Sequence, residues 1–83
     1  MITKDQWIAL GLGSNDEYGF YCTWHSSANW QIVVEKQYHA HPSRLLYLVS
    51  MYNPYFFNHT LALGTFTNED EARHVAAILE LQK

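Results

Sequence analysis

The sequence predicts an α+β domain, an antiparallel sheet of three to four strands with a C-terminal helix packed on one face and a short N-terminal helix. Three observations lead there. Thr3 followed by Gln6 is a capping box, and the apolar run behind it is closed by Gly11 and Gly13. The middle of the chain is crowded with β-branched and aromatic residues and broken by Ser-, Asn- and Pro-containing stretches. The C-terminal stretch repeats apolar side chains at helical spacing behind Asn68, a capping residue. With 83 residues, one domain spanning 1–83 is expected, and a hydrophobic fraction of 48% suits a packed globule rather than a disordered chain.

The elements follow in order. Thr3 is the expected N-cap of the first helix, with Asp5 in its first turn and Ile2 and Trp7 placed as a hydrophobic staple. A helix this short must pack Trp7, Ile8 and Leu10 onto something larger. Ser14, Asn15 and Asp16 read as a turn. Residues 18–25 read as a strand, with Tyr18, Phe20, Cys22 and Trp24 on one face and Tyr21, Thr23 and His25 on the other. A turn at 26–29 then joins it in a hairpin to a strand over 30–38, which groups Trp30, Ile32 and Val34 opposite Gln31, Glu35 and Gln37.

Residues 39–42 break the pattern. The segment 43–52 fits either period, helical through Leu45, Leu48, Val49 and Tyr52 or extended through Leu45, Tyr47, Val49 and Met51. Its density of large apolar residues favours a strand buried on both sides. Asn53-Pro54 ends it, and 58–66 is a further strand. Asn68, with Glu71 three residues on, then starts the final helix, whose apolar face is Ala72, Val75, Ala76 and Leu79, widened by Ile78 and Leu81.

Charge removes several function classes. The basic residues are Lys4, Lys36, Arg44, Arg73 and Lys83, scattered along the chain, so no stripe exists to release counterions from a nucleic-acid duplex. Direct nucleic-acid binding is therefore disfavoured. Eight acids are too few for a nucleic-acid mimic. No stretch approaches the ~18 uninterrupted apolar residues of a transmembrane helix, and no secretory leader is expected, because Lys4 and Asp5 precede only a short apolar patch. Cys22 is alone, which excludes an internal disulfide and a CxxC metal site and fits a reducing cytoplasm.

His39-x-His41 places two imidazoles on one side of an extended segment, but no acid or thiol accompanies them at a metal-like interval, so they read as surface histidines. Cys22 and His25 would point to opposite faces of a strand, and a Cys buried beside Phe20 and Trp24 is the expectation. Ser26 and Ser27 lack a nucleophile elbow, and Gly11-x-Gly13 terminates a helix rather than cradling phosphate. No catalytic residue, cofactor or metal is expected, and the chain is not read as an enzyme.

One family resemblance emerges from Tyr21-Cys22-Thr23-Trp24-His25, Asn29-Trp30-Gln31-Ile32-Val33 and the run from Leu61 to Ala72, whose most specific piece is 63–72. These segments resemble the AP2 DNA-binding module of plant transcription factors and phage-type homing endonucleases. The resemblance implies a three-stranded antiparallel sheet backed by one helix. Its DNA-contacting cations have no counterpart, since Thr23, Gln31, Val33 and Glu35 are neutral or acidic, so no DNA-contacting residue is carried over.

What remains is the aromatic set. Tyr52, Tyr55, Phe56 and Phe57 crowd a stretch that includes Asn53-Pro54, where a proline turn is hard to bury, and exposed rings of that kind anchor interfaces. The expected function is a small non-enzymatic protein-binding domain that blocks a host protein or nucleoprotein complex by occupying its surface. Stand-alone chains of this size and polarity resemble phage- or mobile-element-encoded inhibitors such as anti-CRISPR proteins. The expected partner-binding residues are the aromatics Tyr52, Tyr55 and Phe56 with the acids Asp16, Glu17, Glu69 and Asp70. A homodimer is allowed, no membrane partner is expected, and the alternative is a small nucleic-acid-binding regulator of the sheet-plus-helix type.

Overall fold

Thr3 starts the first helix as its side chain dictates. In the computed structural model, which describes residues 1–25, 29–41, 43–55 and 60–82, helix α1 spans Lys4–Ala9. The Thr3 N–H donates to Gln6 Oε1 at 2.7 Å and the Gln6 N–H returns a bond to Thr3 Oγ1 at 3.2 Å. That reciprocal pair satisfies two of the orphan donors at the helix start. Gly11, at φ 76°, makes the left-handed step out of the helix that a side chain would resist. Trp7 is buried and its indole N–H donates to Gly13 O at 2.9 Å; Ile8, expected to pack, is exposed.

The next segment overturns the strand expected over 18–25. Helix α2 runs Asn15–His25. Ser14 and Glu17, read from sequence as part of a turn and its flank, form a second capping pair: the Ser14 N–H donates to Glu17 Oε2 at 3.0 Å and the Glu17 N–H to Ser14 Oγ at 3.4 Å. Asp16 and Glu17 lie in the first turn, where the helix dipole favours acids. Tyr18, Tyr21, Cys22 and His25 have the spacing of one helical face, and this period wins over the alternation of Phe20, Cys22 and Trp24. Phe20 is exposed and Cys22 half-buried, so the Cys expected to be buried beside Phe20 is not. The expected turn at 26–29 lies outside the described residues except for Asn29.

The sheet is therefore built from three later segments, β1 (Gln31–Ala40), β2 (Ser43–Tyr52) and β3 (Thr60–Phe66), in the order β1-β2-β3 and antiparallel throughout. The hairpin partner of β1 is β2 rather than 18–25, and β1 continues two residues past the expected break, to Ala40. The 43–52 ambiguity resolves as a strand. Val49 and Met51 are fully buried on the helix side and Tyr47 packs beside them, while Leu46 and Ser50 are buried on the other side. A register shift sets Val49 opposite Gly64 but Ser50 opposite Ala62, leaving Leu63 as a bulge. Its side chain is buried in the core and its carbonyl accepts from the Gly13 N–H at 2.7 Å.

Helix α3 (Glu69–Glu80) is the element most legible in advance. Asn68 Oδ1 accepts from the Glu71 N–H at 3.1 Å, and Ala72, Val75 and Leu79 are buried. Leu81 departs from expectation, 83% exposed just past the helix end. α3 packs over β1 and β2, α2 over β3, and α1 against α2, so all three helices share one face of the sheet. One apolar cluster joins them, from Ile2, Trp7 and Tyr21 through Trp30, Val49 and Leu63 to Val75 and Leu79. No helix among the described residues is long and apolar enough to cross a membrane.

Candidate interaction surface

Because the helices cover one face, the other, the open face, carries no helix among the described residues, although Leu46 and Ser50 are buried on it. β1 contributes Gln31, Val33, Glu35, Gln37 and His39 to it, and the register sets these opposite Tyr52, Ser50, Leu48, Leu46 and Arg44 of β2. At the end where β2 finishes, Val33, Glu35, Tyr52 and Thr60 line a shallow groove of about 270 Å³. The Tyr52 hydroxyl donates to Gln31 Oε1 at 2.9 Å, which fixes the ring at the groove's margin. Tyr55 follows in the β2–β3 connection. The Asn53 side chain shapes that turn, its Oδ1 accepting from the Tyr55 N–H at 3.0 Å, and the Tyr55 ring is 72% exposed.

Of the three expected aromatic anchors, Tyr52 lines the groove on the open face and Tyr55 follows, exposed, in the connection after β2. Phe56 lies outside the described residues, as do Phe57, Asn58 and His59. The expected acids go elsewhere. Asp16 and Glu17 open α2, where Glu17 is occupied by the Ser14 cap. Glu69 and Asp70 open α3, where Glu69 pairs with Arg73 at 3.0 Å. That exposed pair contributes only about 0.3–0.5 kcal/mol. Every acid except Glu35 sits in a helix, whereas from Lys36 to Asn68 the chain holds no acid at all. Acidity belongs to the helical layer; the sheet is close to neutral.

A second concave region went unseen in the sequence. Met1, Ile2, Gln6, Ala9, Leu10, Ile78 and Gln82 line a groove of about 390 Å³ between α1 and the end of α3. The signal for it was Ile78, widening the apolar face of α3, together with Leu10 at the end of α1.

The histidines disperse. His39 and His41 are exposed at the β1–β2 turn and His74 is exposed on α3. His25 is held between the rings of Tyr21 and Trp30, with centroids at 5.4 and 5.7 Å, and its Nε2 lies 2.5 Å from Gln82 O. On helix α2, Cys22 and His25 are one turn apart rather than on opposite faces of a strand. Among the described residues no group of three or more His, Cys, Asp or Glu could hold a metal.

Most buried aromatic polar atoms are satisfied: Tyr18 OH donates to Ile2 O at 2.9 Å and Trp30 Nε1 to His25 O at 3.1 Å. Tyr21 OH is the exception, fully buried with no partner among the described residues. Burial, with smaller contributions from Cys22 and Tyr18, pushes its phenol up to about 12.

The segments that carried the AP2 resemblance fall on different elements. Residues 21–25, which it assigns to a first strand, lie in α2, while 63–72 form the corner from β3 into α3. Comparison with family models, with curated proteins and with solved structures finds no match to this chain.

Proposed function

We propose that this chain is a small non-enzymatic binding domain that acts by occupying a surface of a partner protein or nucleoprotein complex. The observation that carries the reading is the end of the open sheet face, where the Tyr52–Thr60 groove is followed by the exposed ring of Tyr55. A large ring held out by a tight Asx turn is a low-entropy anchor for a partner pocket. The acids of the helical layer add long-range complementarity to a basic partner, such as one that itself binds nucleic acid. The proposed class is an inhibitor of the phage or mobile-element kind, anti-CRISPR-like, working in the cytoplasm by steric exclusion.

The test is affinity capture from a bacterial lysate with the tagged chain, beside the Tyr55→Ala/Phe56→Ala double variant. A protein retained by the wild type and lost by the double variant, with far-UV circular dichroism unchanged, supports the reading. Retention by both relocates the interface and refutes it. A gel shift with duplex or single-stranded DNA that weakens steeply with salt would instead establish the nucleic-acid alternative.

A further inference from the structure

The two outer edges of the sheet are built differently. β3 is short, carries the Leu63 bulge and gives its Leu63 carbonyl to Gly13, so this edge is interrupted and partly covered. β1 is ten residues long and keeps an unbroken register from Gln31 opposite Tyr52 to Ala40 opposite Ser43. Among the described residues its outer side is occupied at the start, where the Ile32 N–H donates to Glu80 Oε1 at 3.1 Å. Backbone groups alternate along an antiparallel strand, so the N–H groups of Val34, Lys36 and Tyr38 face the same way as that of Ile32. Among the described residues nothing accepts from them. A long, regular, unpaired edge is a template for another strand.

We infer that this edge joins a second copy of the chain, β1 against β1 in antiparallel register, to give one sheet in the order β3-β2-β1-β1-β2-β3. The side chains suit a second copy and restrict the register. A twofold pairing of outward-bonding residues must centre on a single residue. Centring on Glu35 sets two carboxylates face to face, and centring on Lys36 sets two ammonium groups face to face, both destabilising. Centring on Gln37 removes every like-charge contact. Lys36 of each copy then lies against Tyr38 of the other, and Val34 against Ala40. On the open face the two Gln37 amides meet, and Glu35 of each copy meets His39 of the other.

Arg44 of β2 flanks His39 on its far side. The row across the junction therefore runs guanidinium, imidazole, carboxylate, and the carboxylate is an acceptor for the imidazole N–H beside it. Glu35, Lys36, Tyr38, His39 and Ala40 are all exposed in the single chain, as this pairing requires. The dimer would present its two open faces on the same side, with every helix on the other.

The experiment is sedimentation equilibrium of the full chain up to millimolar concentration, run for wild type, Glu35→Lys, His39→Glu and the double variant. Wild type is expected to dimerise. His39→Glu sets two carboxylates face to face at both symmetric contacts and is expected to weaken the dimer about tenfold, while Glu35→Lys removes the acceptor for His39 and weakens it less. The double variant restores alternation and recovers it. Amide exchange on the wild-type chain needs no substitution: protection of Val34, Lys36 and Tyr38 should rise with concentration, while Val33 and Glu35, already bonded to β2, stay unchanged. A wild type that remains monomeric throughout, a dimer indifferent to both single variants, or concentration-dependent protection confined to other residues would overturn the inference.

Discussion

Replacing Tyr21 with phenylalanine tests the core directly. The ring packs against Trp7 at 5.1 Å and His25 at 5.4 Å between centroids, and phenylalanine keeps those contacts. Only the hydroxyl is lost, and it is buried without a partner. A buried unsatisfied polar group costs about 1–3 kcal/mol, so Tyr21→Phe is expected to stabilise the fold by about 1 kcal/mol. In an 83-residue chain that raises Tm by about 4–8 °C, measurable by calorimetry alongside urea unfolding. The same substitution alters the alkaline limb. The folded state holds this proton to about 12, whereas the unfolded chain releases it near the ordinary 10.0. Between those values the unfolded state binds fewer protons, so stability is complete below pH 10 and falls as pH rises towards 12. The Phe variant lacks this contribution, worth at most about 3 kcal/mol. A loss of more than about 1 kcal/mol in Tyr21→Phe at neutral pH would show that the hydroxyl has a partner and refute the reasoning.

Three further substitutions probe the elements the sequence made hardest and easiest to read. Gly19→Ala adds a Cβ that meets nothing within 4 Å inside α2, so stability should rise by about 1 kcal/mol in urea unfolding; a fall would contradict a helix at this position. Gly64→Ala brings a Cβ to 3.3 Å from both Gly11 O and Leu12 Cα, and backbone cannot yield cheaply. A loss of about 1–2 kcal/mol is expected, and a neutral result would mean that the 11–13 segment does not lie on β3. Asn68→Ala removes the acceptor for the Glu71 N–H and should cost about 1 kcal/mol, recovered largely by Asn68→Ser, as followed by thermal melts.

Legibility tracked how local each cause was. The Thr3–Gln6 box and the Asn68 cap are read correctly because the partners lie three residues apart and answer only to each other. At Gly64 the sheet is approached closely by the Gly11–Leu12 connection, a contact no spacing encodes. Segment 18–25 failed for a different reason. Its aromatics support both periods, and β-propensity in this chain mostly records burial against neighbours. The deciding signal was the Ser14–Glu17 pair just upstream, present in the sequence as plainly as Thr3–Gln6. Of the seven expected partner-surface residues, Tyr52 ends β2 and Tyr55 follows three residues on in the connection, because sequence neighbours share a strand end. The acids did not join them, since helix starts draw carboxylates for electrostatic reasons of their own.

That one error has a structural consequence that reaches the proposed assembly. Had residues 18–25 formed a strand in a hairpin with β1, they would have covered the outer backbone of β1 and made it an internal strand. As a helix over β3, the same segment contributes Tyr21 to the core and leaves β1 at the border of the sheet. β1 nonetheless retains ten residues in regular register, a length natural edges usually shorten, bulge or cover. The protein applies those devices at β3, with a bulge and the Gly13 contact, and at the first residues of β1, with Glu80. Among the described residues it applies none from Val34 to Ala40, where pairing about Gln37 sets no like charges together. A border protected everywhere except where it matches its own copy is better explained by pairing than by solvent exposure.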